Sequence, residues 1–146
     1  MPTGPVAAAV GRSDFRVFTG TGDIAGTLAD FRAALGDPHR EIKWDAAPAD
    51  MAGDFFNTTV KSGVIFGTDG TGFRNSSENF QEIDPAYADE FRAFSAAKTF
   101  MPLGSAELTA DFRVPGTDAR ATTLGFGVVF SDVERVGAAS IKLFDA

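Results

Sequence analysis

The chain has 146 residues, 44% of them hydrophobic and 23% charged, with a net charge of −7 and a pI of about 4.6. That is the length of one domain with a real core, and not the composition of a disordered tail. No Cys and a single His exclude a disulfide framework, thiolate zinc sites, a cysteine nucleophile and any site needing two imidazoles. The acidic balance argues against nucleic acid and against purely electrostatic binding to anionic membranes.

The remaining composition points to a turn-rich β protein. Phe occurs 15 times, and with Val, Ile and Thr it suits a pleated, half-buried surface. Sixteen Gly and seven Pro fall at short intervals, and Asp outnumbers Glu 14 to 6, a bias that favours turns and caps.

Residues 1–13 read as a flexible tail or a short first strand. Their apolar run is five residues, Val6 to Val10, shorter than the core of about 7–15 that a signal peptide needs. No stretch approaches the roughly 20 apolar residues of a membrane span. Asp14-Phe15-Arg16-Val17-Phe18 alternates as a short strand, and Thr19-Gly20-Thr21-Gly22 is a turn. Asp23 then caps a helix over 24–35, where Ile24, Leu28, Phe31 and Leu35 share one face and Gly36 and Pro38 mark the end.

Arg40-Glu41-Ile42-Lys43-Trp44-Asp45 reads as a strand with Ile42 and Trp44 on one face, followed by a loop over 46–53. Asp54-Phe55-Phe56-Asn57 fits helix or strand. A strand over 63–67, a turn over 68–72 and a resumed strand at Phe73-Arg74-Asn75 come next, then a polar loop to Asp84. Asp84-Pro85 opens one or two helical turns carrying Tyr87, Phe91 and Phe94. The last third reads as strands at 99–103, 107–114, 123–130 and 138–144, with a turn at Pro115-Gly116-Thr117-Asp118. Together these elements predict one mainly β domain over 14–146, an antiparallel β-sandwich with jelly-roll connections and one or two short helices. The alternation at Ile141-Lys142-Leu143-Phe144 also predicts that the chain stops inside a longer domain, leaving a sheet edge without its partner.

Several motifs carry chemistry on paper. Gly20-Thr21-Gly22-Asp23-Ile24-Ala25 matches G-x-G-x-x-A, with Glu41 about twenty residues on as a ribose acid. Against a dinucleotide site stand Asp14 and Arg16 in the preceding strand, Asp23 beside the pyrophosphate position, and no following βαβ alternation. Glu41, Asp45, Asp50, Asp54 and Asn57 offer oxygen ligands of the kind Ca²⁺ takes, without the EF-hand spacing. Twenty acids make a glycosidase-like carboxylate pair available, but their number makes such pairs inevitable. His39 lies in a loop, and no Ser occupies a G-x-S-x-G elbow. Trp44 suits either a sugar platform or a core anchor, while Phe55-Phe56 and Phe91/Phe94 read as core.

An ordered set of landmarks carries a family resemblance. It comprises Phe31-Arg32-Ala33-Ala34-Leu35-Gly36, Arg40-Glu41-Ile42-Lys43-Trp44-Asp45, Asp54-Phe55-Phe56-Asn57, Gly63-Val64-Ile65-Phe66 and Gly70-Thr71-Gly72-Phe73. It continues with Phe91-Arg92-Ala93-Phe94-Ser95, Phe100-Met101-Pro102-Leu103-Gly104-Ser105, Val114-Pro115-Gly116-Thr117 and Gly125-Phe126-Gly127-Val128-Val129-Phe130-Ser131-Asp132-Val133. From about residue 24 onward the chain resembles bacterial exported proteins of the PEP-CTERM-associated type. The resemblance implies a secreted or envelope-associated β-sandwich and brings no assigned catalytic residues. Here Lys43 stands where the family pattern has Asn, no signal peptide or sorting tail is visible, and the family continues beyond the position of Phe144.

The sequence therefore leads to the expectation of a non-enzymatic extracytoplasmic β-sandwich that binds glycan or matrix polymer through Trp44, with a Ca²⁺ site at Glu41, Asp45, Asp54 and Asn57. The alternatives are a carboxylate-based hydrolase, a dinucleotide-binding oxidoreductase, or a surface protein without a small ligand.

Overall fold

The computed structural model describes residues 16–95, 97–131, 133, 135 and 137–144. The tail at 1–13 and the first two residues of the strand expected at 14–18 lie outside the described residues. The chain divides into two compact units, Arg40–Thr123 on the one hand and Met1–His39 with Leu124–Ala146 on the other.

In the second of these, α1 (Ala25–Leu35) forms where the 3.6-residue spacing of Leu28, Phe31 and Leu35 predicts it. The Asp23 carboxylate accepts the Ala25 N–H at 3.1 Å, so one amide of the first turn is satisfied by a side chain. Gly36, at φ 70°, ends the helix and donates its N–H to the Arg32 carbonyl at 3.1 Å. Phe18 packs edge-on against Phe31 with centroids 5.8 Å apart, in coil rather than in the strand expected there.

The strand expected at 123–130 is not formed. Its glycines lie against α1 instead: a Cβ on Gly125 would fall 2.5 Å from Leu35, and one on Gly127 would fall 2.6 Å from Phe31. Gly-Phe-Gly reads as a buried strand because it is apolar. Here the missing side chains allow close approach to a helix face, a use of glycine that a periodicity pattern does not register. Residues 138–144 also form no strand, so the expectation of a last third built almost wholly from strands is corrected.

The Arg40–Thr123 unit holds four strands, β1 (Val64–Gly67), β2 (Gly72–Ser76), β3 (Thr99–Leu103) and β4 (Thr109–Phe112). They form two antiparallel pairs, β1 with β4 and β2 with β3. The pairs are nested and continuous. Gly67 faces Thr109 at the end of one pair, and Gly72 faces Leu103 at the start of the other. Residues 68–71 separate them on one side and 104–108 on the other, so the second side carries one extra residue. The register slips there, and the ribbon turns a corner in the manner of a β-bulge. Close contacts hold the corner: Thr68 Oγ1 donates to the Glu107 carbonyl at 2.9 Å, Ser105 Oγ donates to Asp69, and a Cβ on Gly70 would sit 2.0 Å from the Leu103 carbonyl oxygen. The antiparallel, helix-poor character expected from the sequence is present. The described strands make two two-stranded sheets, and no sandwich or jelly-roll is formed among them.

Beyond β4 the chain reverses through Pro115-Gly116, with Thr117 N–H bonded to the Val114 carbonyl at 3.0 Å and Gly116 at φ 76°. Pro followed by a positive-φ Gly suits the central positions of a type II turn. A bridge between Arg113 and Arg120 follows.

The core of this unit is aromatic. Ala47, Met51, Phe56, Val64, Phe66 and Phe73 are buried together, and Ile42, Trp44, Phe55, Phe100, Ala110 and Phe112 pack against them. Val64 and Phe66 alternate inward along β1 as the period-2 pattern requires. Two short helices complete the unit, α2 (Phe55–Thr58) under the core and α3 (Tyr87–Glu90) after Asp84-Pro85. Phe91 stacks edge-on between Phe80 and Tyr87 in a separate small cluster.

The strand expected at 40–45 is corrected as well. Ile42 and Trp44 do turn inward, but the backbone coils into a 3-10 turn at Trp44–Ala46, closed by Ala47 N–H on the Trp44 carbonyl at 3.0 Å. Two inward side chains two residues apart do not require a ladder partner, and here none is made.

Candidate functional site

The residues singled out from the sequence fall into three places. Trp44, Asp45 and the backbone of 44–53 form one of them. The indole of Trp44 lies parallel to Phe100, with centroids 4.0 Å apart and 8° between planes, and Phe100 stacks in turn with Phe73 at 5.4 Å. Phe56 and Phe66 meet the indole at 5.7 and 5.5 Å. Trp44 is therefore the hub of the aromatic cluster, yet the residue is only partly buried.

The segment carrying Trp44 is fixed by polar groups from three elements. Asn75 of β2 is 2% exposed. Its side-chain amide donates to the Trp44 carbonyl at 2.6 Å and to the Ala47 carbonyl at 2.9 Å. Its own N–H donates to the Ala49 carbonyl at 2.9 Å. Lys98 Nζ donates to the Ala47 carbonyl at 2.7 Å, and Asp45 Oδ1 accepts the N–H groups of Ala97 and Lys98 at 3.3 and 3.0 Å. Farther along, Phe66 N–H donates to the Gly53 carbonyl at 2.8 Å, so the segment lies along the outer edges of both β2 and β1. Asp50 pairs with Arg74 at 3.2 Å.

Asn57 belongs to a second place. It is 3% exposed and both ends of its amide are engaged, Nδ2 with the Thr117 carbonyl at 2.9 Å and Oδ1 with the Gly116 N–H at 3.0 Å. It clamps the hairpin tip onto α2. The carbonyl of Asp54 accepts the N–H groups of Asn57 and Thr58, each at 2.8 Å, while its side chain makes no cap bond. Glu41 is exposed. Among the described residues no three His, Cys, Asp or Glu side chains are grouped as a metal would require, so Glu41, Asp45 and Asp54 do not form such a group.

The third place is the glycine motif. Gly22 has φ 71° and the motif does enter α1, but no strand precedes it among the described residues, and the strands elsewhere are antiparallel. The first-turn amide of Ala25 is already bonded to Asp23. His39 Nδ1 lies 3.1 Å from Asp37 and 3.2 Å from the Gly36 carbonyl, at the end of the same helix.

Sequence reasoning missed Asn75 and Ser76. The Ser76 hydroxyl donates to Glu82 at 2.9 Å and accepts the N–H groups of Glu78 and Phe80 at 3.1 and 2.9 Å, which ties down the loop carrying Asn79 and Phe80 at positive φ. A usable signal existed for Asn75, since it stands two residues after Phe73 on the inward face of an alternating strand. Asn57-Thr58-Thr59 and Asn75-Ser76-Ser77 also match the N-glycosylation acceptor pattern. Burial of both amides closes them to a glycan in the folded chain.

Among the described residues no helix is long and apolar enough to cross a membrane. Comparison of the chain with protein families, with curated proteins and with solved structures found no match.

Proposed function

We propose that the chain is a non-enzymatic module that binds a glycan or matrix polymer outside the cytoplasm, through the surface around Trp44. The location follows from the resemblance to exported proteins. The observation that carries the binding reading is the close seating of one partly buried Trp residue. Buried Asn75, partly buried Lys98 and exposed Asp45 hold the backbone on either side of it. Phe100 fixes the tilt of the ring from within.

An aromatic edge fixed in advance binds without losing side-chain freedom, and a sugar ring offers its C–H face to such a surface. Asp45, exposed beside the indole, supplies a hydroxyl acceptor. Titration with neutral oligosaccharides of several linkages tests the reading. A saturable response that weakens at least about tenfold in Trp44→Phe, with the melting transition kept, supports it, tenfold being about 1.4 kcal/mol. A response unchanged in Trp44→Phe removes Trp44 as the platform.

A further inference from the structure

Four cations are drawn to one corner of the Arg40–Thr123 unit, in a chain whose net charge is −7. Arg40 Nη1 donates to the carbonyls of Lys61 and Ser62, both at 3.2 Å. Lys61, at φ 55°, lays its stem over the hairpin turn, where a Cβ on Gly116 would meet it at 3.4 Å. The next glycine, Gly63, accepts the Arg113 N–H at 2.8 Å, and Arg113 stands directly across from Arg120.

The flanking hydrogen bonds define that last pair closely. Ala121 N–H donates to the Phe112 carbonyl at 3.0 Å and Val114 N–H to the Ala119 carbonyl at 2.8 Å. Arg113 and Arg120 thus occupy a non-hydrogen-bonded position, where opposed side chains lie on one face at their closest, with Cα atoms about 4.5 Å apart. Like charges placed so are destabilising. Asp111 Oδ2 is 3.9 Å from Arg113 Nη2, too far for a hydrogen bond. Arg113 is 18% exposed, and its buried Nε has no partner. Arg120 is exposed and makes no ion pair among the described residues.

We propose that this corner binds the oxyanion groups of an acidic polysaccharide, carboxylate or sulfate, with Arg113 and Arg120 as the central pair and Lys61 and Arg40 beside them. Guanidinium forks match such groups in paired hydrogen bonds. An oxyanion between the two guanidinium groups would relieve their repulsion. The choice of a polysaccharide rests on the function proposed above; the anion site itself rests on the arginine pair.

The test uses the full chain and three soluble polymers: polygalacturonate for carboxylate, heparin for sulfate and dextran as the neutral control. Calorimetric titration is run on wild type, on Arg120→Gln/Lys61→Gln and on Trp44→Phe, with a melt of each. The double variant alters two exposed side chains and should melt as wild type does. The expected result is binding of at least one acidic polymer that falls about tenfold or more in the double variant and weakens as salt rises. The preferred polymer then identifies the group. Equal binding by the double variant and wild type overturns the proposal, as does failure of wild type to bind either acidic polymer. Dextran binding lost only in Trp44→Phe, with no acidic polymer bound, overturns the cationic corner and leaves the Trp44 reading standing. Acidic-polymer binding lost only in the double variant supports the corner and removes Trp44 as the platform.

Discussion

Replacing Asn75 by Ala tests how the Trp44 segment is held. The side chain is 2% exposed and donates two hydrogen bonds, to the Trp44 and Ala47 carbonyls. Each bond contributes about 0.5–1.5 kcal/mol net, and a buried carbonyl left without its donor costs about 1–3 kcal/mol. Both carbonyls keep another donor, Lys98 Nζ on Ala47 and the Ala47 N–H on Trp44, so the larger penalty falls on neither. The expected loss is the net worth of the two bonds, about 1–3 kcal/mol. For a cooperative unit of 60–100 residues, 1 kcal/mol moves the melting temperature by about 4–8 °C, so the shift should be roughly 4–24 °C downward. Differential scanning calorimetry reads it directly. Trp44 is the only Trp in the chain, so the native emission spectrum also reports whether the ring has moved. A fall of under about 3 °C with unchanged emission would refute the reasoning that this amide seats the segment.

Other substitutions probe separate contacts. Gly53→Ala places a Cβ 2.2 Å from the Phe66 carbonyl oxygen and should lower stability by more than about 2 kcal/mol, measured by urea unfolding. Gly26→Ala adds a Cβ to open space within α1 and should raise helix stability by about 0.5–1 kcal/mol, visible as slower amide exchange there. Asn57→Ala frees the hairpin tip, and faster amide exchange at Gly116 is the expected readout. The melting temperature should be the same in EDTA and in millimolar calcium, because Glu41, Asp45 and Asp54 form no common group and the Asn57 amide is bonded to Gly116 and Thr117. A rise of several degrees in calcium would show that they can form one.

The legible part of the fold is the part governed by local rules. Helix α1 was readable because Asp23, the Leu28/Phe31/Leu35 face and Gly36 all specify the same element. Strand β3 and the Pro115-Gly116 reversal were readable for the same reason. Non-local choices were not. Whether Ile42 and Trp44 belong to a strand depends on a ladder partner far along the chain, and the sequence does not say that Asn75 and Lys98 will take those carbonyls instead. Gly125 and Gly127 read as strand because their apolar neighbours do, while their use is close approach to Leu35 and Phe31. The candidate site was half legible. Trp44 and Asp45 stand out by residue type, whereas nothing in the strand pattern at Phe73-Arg74-Asn75 marks Asn75 as the residue that holds the Trp44 segment.

The acidic residues teach a similar lesson. Five oxygen-bearing side chains within seventeen positions look like a cation site when written in a line. In space Asn57 is turned to the hairpin, Asp45 to the backbone of 97–98 and Asp50 to Arg74. Proximity in sequence is weak evidence of a shared ligand where the backbone changes direction every few residues.

The central claim is that Trp44 sits at a binding surface, and a fluorescence titration tests it most directly. As the only Trp, it reports its own surroundings without interference from another indole. The account predicts a saturable change in its emission with at least one oligosaccharide, reversed when the sugar is diluted out and weakened by Asp45→Asn. Emission indifferent to every oligosaccharide, with no binding by calorimetry, would contradict it and leave Trp44 as a core residue alone.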